Sequence, residues 1–341
     1  MKKIAVNLAI FFVIAGFVWY MITFINRDVS PNQGTVGGTT ASFTSPYRQV
    51  ASFKLPEEIN RFDLQDNRLF ISAGQAVYIF DTEGKQLAKF AVEQGVRDIA
   101  FRLRSMPAVR LRSMPTSRLR SMTTDDEIYL LYPTRIAVYS VNGDSVRQWE
   151  ACSELSDYCS FTLAGDAVFV TDAAGKNICK YTTEGNFVKF INSPSGFIIP
   201  SYTFDINCWN DTVYCVNSGR HFIETYTLNG DFIAAFGSPG SEAGLFAGCC
   251  NPAYISFTPD GALIASEKGN PRVTCFDRNG KFKCLWLDSK ALGGGTQAYQ
   301  VKAVNDKLFV AGKNMIIVFQ YDKTVTNASA CSGCAGCPLR R

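Results

Sequence analysis

The sequence predicts an all-β fold, a six-bladed β-propeller closed by an N-terminal strand and preceded by one transmembrane helix. Three observations predict it. A glycine turn between two β-rich runs recurs at Gly84, Gly143, Gly185, Gly230 and Gly280, spaced 59, 42, 45 and 50 residues apart. A second apolar hairpin precedes each turn, as in "FDLQDNRLFIS", "FTLAGDAVFVTD" and "ISFTPDGALIASE". Four short strands at periods near 40–50 are what a propeller blade requires. Finally, the last unit, "YQVKAVNDKLFVAGKNMIIVFQYD", stops after three strands, while "RQVASFKL" near residue 50 looks like a missing outer strand.

The chain opens with MKK and then 22 apolar-rich residues, Ile4 to Ile25. As a helix that run spans about 33 Å, enough for a hydrocarbon core of about 30 Å. It ends in bulky Trp19, Tyr20, Met21 and Phe24, unlike a small-residue cleavage site, so residues 1–27 read as an uncleaved anchor. A cleaved signal is the alternative. Lys2 and Lys3 keep the N-terminus cytoplasmic under the positive-inside rule. The expected location is thus a bacterial inner membrane, single-pass, with the propeller periplasmic. Twelve cysteines fit an oxidising compartment.

Residues 28–47 are rich in Gly, Ser, Thr and Pro and read as a flexible linker. The propeller follows over 48–324, and 325–341 form a cysteine-containing tail. No segment of 48–324 keeps a 3.6-residue apolar period over twelve residues, which excludes a helical solenoid. Pairing the strand at Arg48–Leu55 with the last three would leave no free sheet edge.

Within the second unit an eight-residue stammer, RLRSMPAV RLRSMPTS RLRSMTTD, fills 102–125. It holds six arginines and one aspartate; without it the net charge of +4 becomes −1. The globular part is therefore near neutral, which argues against nucleic acid as a partner. The insertion falls between an inner strand, "VRDIAF", and the next, "EIYLLYP", so it lengthens one surface loop. Its closure costs only about 2 kcal/mol more than a tight turn. A mobile loop without a role is the favoured reading, and a membrane-proximal basic arm is the other.

Residues 242–286 resemble an NHL repeat. The resemblance is carried by Gly244, Phe246, Pro252, the Pro259-Asp260-Gly261 turn, Asn270, Arg272-Val273, Phe276-Asp277 and Asn279-Gly280, with a weaker copy at 218–237. It departs at Cys249-Cys250 and at the Asp211-Thr212 turn. It implies a scaffold that serves many functions and leaves the chemistry open.

Loops between second and third strands should gather on the face opposite the membrane. That face collects Arg135, Asp172, Lys176, Arg220, His221, Glu267, Lys268 and Arg272, a mixed-charge rim suited to a small polar ligand or a protein partner. His221 is the sole histidine, which disfavours histidine-dependent hydrolases and lyases, though a carboxylate-bound Ca²⁺ stays open. Cys249-Cys250 belongs to the same face and admits three readings: an adjacent-residue disulfide, pairing with other cysteines, or reactive thiols. Cys152 and Cys159 flank a loop, Cys208 and Cys215 lie on neighbouring strands, and structural disulfides are expected. In the tail, Cys331, Cys334 and Cys337 have a C-x2-C-x2-C-P spacing that suits a soft metal such as Cu or Zn, against a tail that merely oxidises. The expected function is a membrane-tethered, extracytoplasmic binding scaffold. A thiol- or metal-dependent accessory of electron transfer or metal handling is the alternative.

Overall fold

The structure, a computed structural model, describes Gly16 and residues 43–103, 122–123, 125–322 and 324–325. No helix among them is long and apolar enough to cross a membrane. The expected anchor, most of the stammer and the cysteine tail lie outside the described residues.

Twenty-four strands form six antiparallel four-stranded sheets. Blade 1 is β2 (Ile59–Gln65), β3 (Arg68–Ala73), β4 (Ala76–Asp81) and β5 (Gln86–Ala91). Blade 2 is β6 (Asp98–Arg102), β7 (Glu127–Tyr132), β8 (Arg135–Ser140) and β9 (Ser145–Glu150). Blade 3 is β10 (Tyr158–Ala164), β11 (Ala167–Asp172), β12 (Asn177–Thr182) and β13 (Phe187–Ile191). Blade 4 is β14 (Ile206–Trp209), β15 (Thr212–Asn217), β16 (Phe222–Thr227) and β17 (Phe232–Phe236). Blade 5 is β18 (Tyr254–Phe257), β19 (Leu263–Glu267), β20 (Arg272–Phe276) and β21 (Phe282–Leu287). The sixth sheet holds β22 (Gln300–Val304), β23 (Lys307–Ala311) and β24 (Met315–Tyr321), with β1 (Tyr47–Lys54) paired antiparallel to β24.

The inner strands β2, β6, β10, β14, β18 and β22 touch in that order, and β22 meets β2. Strands β3 and β7 are buried at every position because sheets cover them on both sides, whereas outer β5 and β9 are largely exposed along their length. The apolar core is accordingly split into six clusters, one in each gap between neighbouring blades.

The recurring turn glycine has a packing reason as well as a conformational one. At Gly185 φ is +95°, and a Cβ would lie 2.7 Å from the Trp149 ring of the preceding blade's outer strand. Gly280 (φ +82°) is covered in the same way by Phe236, Gly143 by Phe90, Gly230 by Ile191 and Gly84 by Phe53 of β1. Each outer strand thus lays a bulky side chain on the next blade's turn. Gly185→Ala should therefore cost more than the roughly 1 kcal/mol of a strained turn alone, since Trp149 must also move. Urea unfolding checks this, and a Trp149→Leu background should recover part of the loss.

The stammer enters and leaves through anchored ends. Expected as the first loop residue, Arg102 instead closes β6, pairing with Glu127 and placing its guanidinium 3.0 Å from Asp166. Leu103 and Met122 pack on the cluster between blades 1 and 2, and Asp126 N–H donates to Thr123 O at 3.0 Å.

Candidate functional site

Each blade's second-to-third strand turn lies on the face that also carries the connections between blades, here the upper face. All inner strands start there, so their first residues surround the upper end of the central throat. Arg61 sits third on β2 and is 7% exposed. It donates from Nη2 to Asp205 Oδ1 at 3.2 Å and from Nε to Arg97 O at 3.3 Å, with Asp98 3.7 Å away. Its guanidinium lies over the Tyr254 ring at 4.2 Å. Burial works against this charge, but Asp98, Tyr254 and Asp205 outweigh it and raise its pKa.

The two carboxylates also hold backbone of neighbouring blades. Asp98 Oδ2 accepts from Phe161 N at 3.1 Å, and Asp205 Oδ2 from Ile255 N at 2.7 Å. Ser160 Oγ lies 2.6 Å from Asp98 Oδ2 and 2.9 Å from Asp205 Oδ1. One hydroxyl proton cannot serve both acceptors. Burial, with Asp98 adding to it and Arg61 opposing, pushes the Asp205 carboxyl upward. A protonated Asp205 can then donate to Ser160. The folded chain binds this proton more tightly than the unfolded one, whose ordinary value is 3.8. Stability from this group is thus greatest at the acid end of the window between those two values and falls as pH rises through it. Urea midpoints from about pH 4 to about pH 7 should show a shallower fall in Asp205→Asn.

Similar ties continue around the ring, since Phe62 N donates to Gln300 Oε1 at 2.8 Å and Phe101 N to Asp63 Oδ2 at 3.0 Å. The throat groups escaped the sequence reading. Their one signal was charge inside otherwise apolar inner strands, as in "NRFDL", "VRDIAF" and "TFDIN".

The sequence-derived rim divides in the structure. Glu267 (1% exposed) and Arg272 (6%) are buried against each other, with Glu267 Oε2 3.1 Å from Nη2. Arg272 also donates to Ser241 O and Leu245 O at 2.7 and 2.6 Å. Asp172 is buried too, its Oδ1 accepting from Asp157 N, Ala174 N and Gly175 N. These three shape the upper turns and offer little to a ligand. Arg135 is bound to Glu93 at 2.6 Å and lies over the Tyr132 ring at 4.1 Å. Arg220 donates to Ser195 O and Gly196 O, and Lys176 stands in its turn with φ +51°. His221 is half-buried with left-handed backbone, and its buried Nδ1 lacks a hydrogen-bond partner.

Where paired cysteines were expected, the nine described ones are free thiols. Cys152 lies 3.4 Å from Cys179 rather than beside Cys159. Cys208 faces Val213 and Cys215 faces Ile206, a diagonal rather than opposed placement. Burial pushes Cys159 and the partly buried Cys208 up to about 12, so both thiols resist ionisation. Cys249 is exposed and Cys250 buried, with their sulfurs 2.8 Å apart. Ser201 and Lys268 stand beside them. The tail cysteines proposed as metal ligands lie outside the described residues, among which no cluster of three or more His, Cys, Asp or Glu could hold a metal ion. A shallow groove of about 670 Å³ lined by Gln75, Val92, Glu93, Gln94 and Tyr139 lies at the rim, away from the throat.

No protein-family model matches the chain, and no curated protein matches its sequence. Solved structures are similar to it. One is a catalytically inactive variant of virginiamycin B lyase from Staphylococcus aureus with quinupristin, at TM-score 0.52 and 15% identity, covering 80% of this chain and 99% of that one. Another, a streptogramin B lyase, gives TM-score 0.50 at 14% identity, covering 81% and 98%. At such identity the likeness shows the fold, a six-bladed propeller, and no more.

Proposed function

We propose that the chain is a membrane-tethered, extracytoplasmic propeller that presents its upper face to a protein partner. One observation carries this reading. Leu155 is 83% exposed, Tyr202 65% and Ile198 47%, all on upper connections leading into blades 3 and 4. Three large apolar side chains on adjoining loops of a rigid ring form a surface better suited to a partner than to water. In the throat, Arg61 gives Nη2 to Asp205 and Nε to Arg97 O, while its buried Nη1 has no hydrogen-bond partner. The tether rests on the apolar run Ile4–Ile25, and β1 against β24 supports a ring latched by its N-terminal strand. The NHL-like residues of blade 5 agree with a scaffold.

Lyase chemistry is not carried over from the structural neighbours. The inactive neighbour has a histidine replaced by alanine. This chain's one histidine, His221, caps a short 3₁₀ turn on blade 4.

Photo-crosslinking residues at Leu155 and Tyr202 of the full chain in its membrane should join one defined protein, and Ile198→Asp should abolish the product. Equal yields from outer-strand positions Val188 and Ile233 would move the interface to the rim and defeat the proposal. In a variant with Ser at 331, 334 and 337, a membrane-impermeant maleimide should label Cys249 on intact spheroplasts. Labelling only after lysis would refute the extracytoplasmic placement.

A further inference from the structure

Among the described cysteines, one pair combines sulfur contact with solvent access. Cys249 and Cys250 end the connection entering β18, with Sγ atoms 2.8 Å apart and Cys249 exposed. Their surroundings fix the pair in place. Thr203 Oγ1 donates to Cys250 O at 3.3 Å, and Ser201 Oγ lies 3.6 Å from Cys250 Sγ. The neighbouring Asn251 side chain binds both Lys268 N and Lys268 O at 2.9 Å, which holds the lysine's backbone beside the thiols. Another sulfur pair, Cys152 and Cys179, lies in the gap between blades 2 and 3, where Cys179 is buried and the Tyr158 hydroxyl stands 3.7 Å from Cys152 Sγ.

We propose that Cys249 and Cys250 are a two-electron thiol–disulfide couple that reduces a disulfide presented at the upper face and closes into a disulfide between adjacent residues. Cys249, the accessible member, hands its proton to Cys250 and attacks one sulfur of the incoming disulfide. The incoming S–S bond breaks, a Cys249–S–S bond forms, and the first thiolate leaves. The leaving thiolate takes the Cys250 proton. Cys250 then attacks the Cys249 sulfur, closing the ring and expelling the second thiolate, which is protonated from solvent. One thiol and one thiolate are oxidised, one disulfide is reduced to two thiols, and solvent supplies the second proton, so electrons and protons balance.

At rest the electrostatics leave the proton on Cys249 and the negative charge on Cys250, so attack by the accessible Cys249 requires the proton transfer of the first step. Burial pushes the Cys250 thiol up, but Cys249, Ser201 and Lys268 together outweigh it and bring it below its ordinary value. Cys249 is raised, first because it donates to Cys250. The pair thus shares one proton, with Cys250 the more acidic sulfur. The proposal stands whether or not the upper face binds the partner inferred above.

The test uses the full chain in detergent with Ser at 331, 334 and 337, equilibrated in glutathione buffers from reducing to oxidising and then thiol-trapped. Peptide mapping should show a reversible loss of two thiols joined as a 249–250 link. Cys250→Ser should stop at a glutathione mixed disulfide on Cys249, and Cys249→Ser should form no ring. Lys268→Met should shift the pH profile of Cys249 alkylation toward higher pH, a readout that needs no cysteine removed. Two thiols that stay free across all buffers, a link from either residue to a third cysteine, or a profile unmoved by Lys268→Met would each overturn it.

Discussion

Arg61→Met should be among the most destabilising single substitutions outside the apolar core. The change removes the cation that, among the described residues, faces Asp98 and Asp205 in the throat, and leaves both carboxylates buried, at 5% and 6% exposure. Removing one partner of a buried charge cluster typically costs about 3–5 kcal/mol, because the remaining charge has neither water nor a counter-ion. Against a total stability of roughly 5–15 kcal/mol this is a large share. The backbone bonds that Asp98 and Asp205 accept from Phe161 and Ile255 would persist but draw two like charges together. The triple variant Arg61→Met, Asp98→Asn, Asp205→Asn should recover most of the loss, since amides can still accept from those N–H groups. In Arg61→Met alone, acidification should restore stability as the Asp205 carboxyl, already pushed upward by burial, takes up its proton. Urea midpoints of the three proteins decide it. A cost below about 1 kcal/mol for the single variant would mean that water reaches the throat and screens the cluster.

How far the sequence reaches depends on whether a feature repeats. Turn glycines and alternating strands recur in every blade because each blade solves the same packing problem. Hence the sheet count and the strand order could be read from spacing alone. The covering partners of those glycines, Phe53, Phe90, Trp149, Ile191 and Phe236, share a position but not a residue type, so no motif announces them. The throat is harder still. Arg61, Asp98, Ser160, Asp205 and Tyr254 come from five blades, spread across nearly two hundred residues, and meet only because the ring brings strand starts together. The surroundings of charge-bearing turn residues are hidden from the sequence for a related reason. Glu267 and Arg272 look like rim charges in sequence, yet the four-residue turn between them folds them onto each other and brings Arg272 onto Ser241 O and Leu245 O. The adjacent cysteines were visible, while the lysine and serine that bias them come from other loops.

The second large effect is expected at the junction of β1 with the last sheet. A chain starting at residue 56 should lose cooperative folding, whereas one starting at residue 43 should melt like the full-length protein. Strand β1 runs along β24 from Tyr47 opposite Tyr321 to Lys54 opposite Met315. Tyr47 packs on Trp286 and Tyr321 with ring centroids 5.3 and 5.5 Å apart, and Ser45 Oγ donates to Trp286 O at 2.6 Å. At the other side Phe53 meets Phe80 at 5.0 Å and roofs Gly84, while Leu55 N donates to Asn314 O at 2.8 Å. The strand therefore serves blade 5, blade 6 and blade 1 at once. Burying Tyr47, Phe53 and Leu55 contributes on the order of 1.5–3 kcal/mol each, so their joint loss approaches the whole stability of an ordinary domain. Removal would also bare the edge of β24, "MIIVFQY", an apolar row with unpaired backbone groups that would pair with another copy. Tyr47→Ser with Phe53→Ser in the full chain separates the two causes, since it removes side-chain burial and leaves the backbone ladder in place. That variant should be destabilised yet monomeric, and the truncated chain should aggregate. Equal melting of the chains starting at 43 and 56 would show that five complete sheets and three strands hold together without the eight-residue strand β1, and that the latch contributes nothing.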